Sequence, residues 1–164
     1  MTIDWTNRNA SVSKWFRVKD AIFLPRWGRL ADDSDYLDDN AKEALVDIFE
    51  RLDTIYIDIL KVKPIIHVAF RSPKYNNLLG GAVGSAHIAR TIRNDQIVKH
   101  IAAIDFSVNL YPEKSIEENC DLARELLLPH IEALDLRMED NPSSNWIHID
   151  TKPIINNGNR FFKP

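Results

Sequence analysis

Apolar residues recur at three- and four-residue steps from Ala41 through Leu45, Phe49, Leu52, Ile55 and Ile59, which predicts an amphipathic helix reaching about Lys61. Asp38, Asp39 and Asn40 are candidates for its N-cap, and Asn40 with Glu43 resembles a capping box. Pro64 ends that pattern. From Ile65 to Arg71 the chain is rich in β-branched and aromatic residues and predicts a strand, with His67, Ala69 and Arg71 on one face and Ile66, Val68 and Phe70 on the other. Ser72 to Gly84 reads as a loop with several positions able to take positive φ. Ile88 to His100 fits either a short helix or an excursion. Ile104, Phe106, Val108 and Leu110 then alternate with Ala103, Asp105, Ser107 and Asn109, the signature of a half-buried strand whose polar face carries Asp105.

Ser115 with Glu118 forms a capping box that opens a helix in which Ile116, Cys120, Ala123, Leu126 and Leu127 share a face. Pro129 interrupts it and begins a second short helix carrying Ile131 and Leu134. Leu134 to Glu139 predicts another strand, and Asn141 to Asn145 the turn into a last one over Trp146 to Thr151. That last strand puts Trp146, His148 and Asp150 on one face and Ile147 and Ile149 on the other, so the apolar set goes to the core and the polar set to an accessible face. The tail from Lys152 to Pro164 shows no strong pattern. Residues 1–40 are mixed and turn-rich, and Trp5, Trp15 and Trp27 predict an irregular segment wrapped on the core. An aromatic surface for sugar or peptide is the alternative there.

These elements predict an α+β fold, an antiparallel sheet with flanking helices. A chain of 164 residues is the length of one domain, here 1–164 with its core over 41–151, and it can bury a core without staples. A net charge of −3 offers no general attraction to nucleic acid or an anionic membrane, and no apolar run reaches membrane-spanning length. Cys120 is the single cysteine, which excludes an intrachain disulfide and any multi-cysteine metal site, and its place on the helix makes it a buried apolar side chain. The start of the chain lacks the apolar run of a signal peptide, which predicts synthesis in the cytoplasm and another route to any site of action beyond the membrane.

His87, Asp105 and His148 each lie on or beside a strand or rigid turn, and two imidazoles with one carboxylate suit a zinc ion that keeps a fourth position open for water. On spacing alone the triplet stands level with satisfied core histidines. Its setting adds to it. Ser85-Ala86-His87, Ala103-Ile104-Asp105 and Trp146-Ile147-His148, preceded by Phe70-Arg71-Ser72-Pro73 with Tyr75-Asn76 and Gly80-Gly81-Ala82, resemble in order the motifs of the zinc D-alanyl-D-alanine carboxypeptidases and related cell-wall endopeptidases, whose fold is shared with hedgehog signalling domains. The resemblance spans residues 64–150. It implies His87, Asp105 and His148 as Zn2+ ligands, Arg71 as the group that holds the scissile carbonyl or its oxyanion, and the stem peptide of peptidoglycan as substrate. A surface ion pair at a strand end is the bland alternative for Arg71.

The chain departs from that pattern twice. Seventeen residues separate His87 from Asp105, more than is usual in the family, and the usual glycine is missing. Residues 88–101 therefore read as an insertion, a lid or a specificity element, and His100 is a rival ligand nearer Asp105 but without the Ser-x-His setting. His67 and His130 fall to structural or surface roles. The general base that the family places three residues before its last histidine is here Asn145, which cannot carry a proton. Glu139 and Asp140 are the replacements, Glu139 preferred for its reach, with a surface acidic pair as their ordinary reading; Asp150 is a further candidate, or an acceptor that orients His148. The resemblance thus implies a zinc-dependent hydrolase of stem-peptide bonds, a carboxypeptidase or endopeptidase such as a bacteriophage lysis enzyme released by a holin. The alternatives are a non-catalytic metal-binding module, structural or for binding, that has lost its base, and a regulatory peptidase acting on proteins.

Overall fold

A computed structural model describes residues 2–154 and 158–163. The segment expected to be irregular does wrap the core, but it contains regular pieces: a short helix α1 (Val18–Ile22) and a two-stranded ribbon of β1 (Phe23–Leu24) and β2 (Arg29–Leu30). Phe16, Ile22 and Leu24 are fully buried, while Trp27 packs edge-on against Tyr75 and Trp15 against Tyr56. These aromatics bury area from short elements, as their size permits.

The long helix α2 (Asp39–Thr54) runs on through a π-helical turn at Ile55–Leu60 and stops where Lys61 turns left-handed at φ 59°. Its N-cap is Asp38, whose Oδ1 accepts the Ala41 amide at 2.8 Å. Asn40 and Glu43 form no capping box; both accept from Arg93 instead. Strand β3 (Ile65–Val68) follows and ends earlier than the alternation predicts; its pairing slips between Ile66 and Val68 and resumes with Val68 opposite Asp105. Beyond it the expected loop contains a helix, α3 (Pro73–Leu78), capped by Ser72 Oγ on the Tyr75 amide at 3.1 Å with Pro73 in the first turn.

Residues 88–101 decide between the two alternatives left open for them. They form not a helix but an excursion, a hairpin of β4 (Arg90–Asn94) and β5 (Ile97–Ile101), turned at Asp95 with φ 50° and docked on α2. Thr91 Oγ1 donates to the Asn40 carbonyl at 2.8 Å, and Arg93 reaches Asn40 and Glu43.

Strand β6 (Ala103–Ser107), helix α4 (Ile116–Leu127), and strands β7 (Arg137–Glu139), β8 (Ile147–Asp150) and β9 (Phe161–Phe162) complete the chain. The Ser115–Glu118 capping box is present. The buried face of α4 is Asn119, Cys120, Ala123, Arg124 and Leu127, whereas Ile116 and Leu126 are exposed. Pro129 lies in a single 3-10 turn, Leu128–His130, rather than in a second helix.

The main sheet has the order β3-β6-β8-β7-β9. Its first three pairings are antiparallel, but β9 joins β7 in parallel, so the sheet is mixed, and the tail that showed no pattern supplies its edge. Ile104, Phe106, Ile147 and Ile149 face the core at 0% exposure, against the side where both long helices contact β6. The fold is α+β.

Candidate metal centre

Antiparallel pairing sets Asp105 of β6 directly opposite His148 of β8, and the same register in the next ladder brings Glu139 of β7 opposite His148 on its other side. His87 arrives from outside the sheet. Its turn is held by Ser85, whose Oγ accepts the His87 amide at 3.3 Å, and by the Arg71 amide donating to the His87 carbonyl at 2.8 Å. Ala86 and Ala103, one from each motif, pack together with Ile101, and their small side chains let the His87 turn approach β6. That backbone bond also carries Arg71 to the same place.

The polar face of β6 was expected to be accessible. It is covered. His87 is 3% exposed, Asp105 9% and Asp150 1%, so every polar atom there needs a partner within the fold.

The imidazole of His87 has one orientation open to it. Nδ1 lies 2.7 Å from the Ala69 carbonyl oxygen, which only accepts, so Nδ1 carries the proton. Nε2 then presents its lone pair to Asp105 Oδ2 at 3.2 Å. Burial lowers the His87 pKa despite the nearby carboxylate, which keeps the ring neutral. A lone pair facing a carboxylate in a buried space could hold a cation.

His148 completes it. Its Nδ1 is 2.7 Å from Asp105 Oδ1 and its Nε2 3.4 Å from Asp150 Oδ2. Asp150 is held by a two-pronged bond from Arg137, Nε at 2.8 Å and Nη2 at 2.7 Å. Burial works to lower the His148 pKa, but its bonds to Asp105 and Asp150 prevail and it is pushed up to about 9. Burial likewise works against the Asp105 carboxylate, yet the two imidazoles hold it well below the usual range. For Asp150 burial works upward, but the Arg137 and His148 bonds and charges together bring the group to about 2.

The three donor atoms lie within 4.8 Å of one another, and the two rings stand nearly perpendicular, 72° between planes. A tetrahedral ion bound at about 2.1 Å needs donors about 3.4 Å apart. The Nε2–Oδ2 separation of 3.2 Å is near that, while His148 Nδ1 lies 2.7 Å from the other oxygen, Oδ1, so the two imidazoles face different oxygens of one carboxylate. The buried group can therefore hold a metal ion, with Nε2–H of His148 donating to Asp150 so that Nδ1 is the free donor.

Arg71 Nη2 sits 3.1 Å from Asp105 Oδ2, while its buried Nε finds no acceptor among the described residues. Glu139 is 8% exposed, none of the described residues gives its carboxylate a hydrogen bond or an ion pair, and burial raises its pKa. Asp140, the other candidate, lies exposed just past the strand. A cleft of about 500 Å³ borders Glu139 and Asp140, walled by Arg124, Leu128, Met138, Pro142 and Phe161. His100 is not in the cluster: it faces the hairpin, with Nδ1 2.9 Å from Thr91 Oγ1. His67 and His130 are exposed, and so is Asn145.

The sequence did not reveal Arg137 and Phe162. Arg137 is read correctly only once its register opposite Asp150 is known, and Phe162 lies in the patternless tail. Protein-family models, curated proteins and solved structures yielded no match to this chain. No helix of the described residues is long and apolar enough to cross a membrane.

Proposed function

We propose that this chain is a zinc-dependent hydrolase of peptide bonds, with the hedgehog-like peptidase fold its motifs resemble and the stem peptide of peptidoglycan as substrate. The observation that carries this reading is the His87 lone pair turned onto the Asp105 carboxylate, with His148 on the second oxygen of the same group. Two imidazoles and one carboxylate favour zinc over the hard, all-oxygen cations. A bound ion supplies Lewis acidity toward a water molecule and a peptide carbonyl.

The chain's own residues do the rest. The Arg71 guanidinium, held at the centre by Nη2 on Asp105, stabilises the carbonyl oxygen as negative charge gathers on it. Glu139, partly desolvated and given no hydrogen bond by the described residues, accepts the proton of the attacking water and returns it to the leaving amine nitrogen; its raised pKa brings it closer to the working pH of a base.

A second reading, a metal-binding module without catalysis, draws on Asn145, which is exposed in its turn and replaces the family's glutamate. Digestion of purified peptidoglycan by zinc-loaded protein, read by mass spectrometry, separates the two. Release of stem-peptide fragments that stops with a chelator and in His148→Ala supports the hydrolase. No release from any wall type, with zinc bound at one ion per chain, gives the second reading.

A further inference from the structure

Four side chains around the outer edge of the centre close a ring. His148 Nε2 meets Asp150 Oδ2, Asp150 is gripped by Arg137, the Arg137 guanidinium lies 4.4 Å from the centroid of the Phe162 ring, and Phe162 returns edge-on to His148 at 5.7 Å and 89°. Each contact restricts the next. A planar guanidinium that forks onto a carboxylate while lying over an aromatic ring has little freedom left.

Phe162 enters this ring from β9. That strand is fixed by the Met138 amide on the Arg160 carbonyl at 2.9 Å and the Asp140 amide on the Phe162 carbonyl at 2.7 Å. Arg160 also anchors itself, with Nη1 on the Leu136 carbonyl at 2.9 Å and on Asp135 at 3.2 Å. The C-terminal residues are thus tied to β7 at the height of the centre. None of the four groups faces solvent freely: the side chains of Arg137 and His148 are 20% and 14% exposed and that of Asp150 is 2% exposed.

We propose that β9 is a working part of the metal centre, with Arg137 and Phe162 as positioning residues that hold Asp150 and thereby present Nδ1 of His148 to the ion. The inference rests on the metal-centre part of the reading above but not on the hydrolysis. Without Arg137, Asp150 is free to rotate away, and His148 loses the acceptor that fixes its tautomer. Without Phe162, the guanidinium loses its stacking surface and the imidazole its edge contact. A purely structural strand would lower stability when weakened and leave metal affinity alone.

The test is zinc affinity in chelator-buffered solution over a pH series, with the fold checked by circular dichroism and the His148 tautomer read by long-range 1H–15N NMR. Arg137→Gln and Phe162→Leu are each expected to keep the fold and lose about tenfold to a hundredfold in affinity, as removal of outer groups does at metal sites. Arg137→Lys should recover little, because an ammonium neither forks nor stacks, and Phe162→Tyr should recover most. In the zinc-loaded wild type the His148 proton should sit on Nε2, and in Arg137→Gln that signal should broaden or divide between the two nitrogens. Unchanged affinity in folded Arg137→Gln and Phe162→Leu, or a His148 that binds zinc through Nε2, overturns the inference. A protein that binds zinc as described yet cleaves no peptide sinks the hydrolase and leaves the positioning roles standing.

Discussion

His148 meets a carboxylate at each ring nitrogen, Asp105 at Nδ1 and Asp150 at Nε2. In the metal-free protein this pushes its pKa up to about 9, so at neutral pH the ring is an imidazolium and a metal ion must displace its proton. Apparent zinc affinity should therefore rise about tenfold per pH unit until pH approaches 9, and calorimetry in buffers of different ionisation enthalpy should register release of about one proton near neutrality. The sign reverses for stability. A raised folded pKa stabilises fully below the unfolded value near 6.5, so metal-free protein should lose stability as pH climbs from there toward 9. At the same scale, Glu139 and Asp140 differ in burial and not in chemistry. Glu139→Gln should cut the rate of stem-peptide cleavage by about a hundredfold or more with zinc content unchanged, and Asp140→Asn should leave both near wild type. Full activity in Glu139→Gln would remove the base from Glu139.

The α3 segment shows how an element can hide behind its composition. Three glycines within residues 80–84 dominate the reading of 72–84 as a loop, yet Ser72-Pro73 is an N-cap followed by the residue that best starts a helix, and it governs the first half. Gly81 is required for a tertiary reason instead. A Cβ there would stand 2.2 Å from Oδ1 of Asn76, a fully buried side chain whose Nδ2 is bonded to the Ala82 carbonyl. Gly81→Ala should cost about 1–3 kcal/mol in denaturant unfolding and loosen the turn that carries His87. The hairpin of β4 and β5 was illegible for the opposite reason: its turn at Asp95 and Gln96 has no glycine, and Ile92, Ile97 and Val98 are partly exposed, so neither turn chemistry nor alternation marks it.

Across the whole molecule, the apolar core is a source of stability apart from the proposed metal centre. One apolar cluster runs from Val12 to Ile149, built by residues from α1, α2, α4 and the sheet, and the His–Asp–His group lies on the sheet's other face. Removing the metal should therefore leave the fold in place, unlike a small zinc domain that unfolds without its ion. With free zinc at about a thousand times Kd, chelation should lower Tm by about 10 °C and leave the far-ultraviolet circular dichroism unchanged. Collapse of the spectrum on chelation would show that the centre also holds the fold.

Local chemistry determined much of this protein from the sequence alone. The periodicity of Ala41 to Ile59, the Ser115–Glu118 box and the alternation around Asp105 and His148 are one-dimensional signals, and each yields its element and the face on which a polar residue stands. The ordered motifs likewise singled out Arg71, His87, Asp105 and His148 as a group, and the fold brings those four together. Tertiary structure alone decided the rest. Which nitrogen of each histidine faces the carboxylate depends on Ala69 and Asp150, reached through a backbone bond and a strand register. The burial of Asp105, the choice between Glu139 and Asp140, and the recruitment of Phe162 from the tail all follow from what packs over the polar face of the sheet. Hydrophobic period tells which side of a strand turns to the core, but what covers the other side is a contact between residues distant in sequence, and no local pattern encodes it.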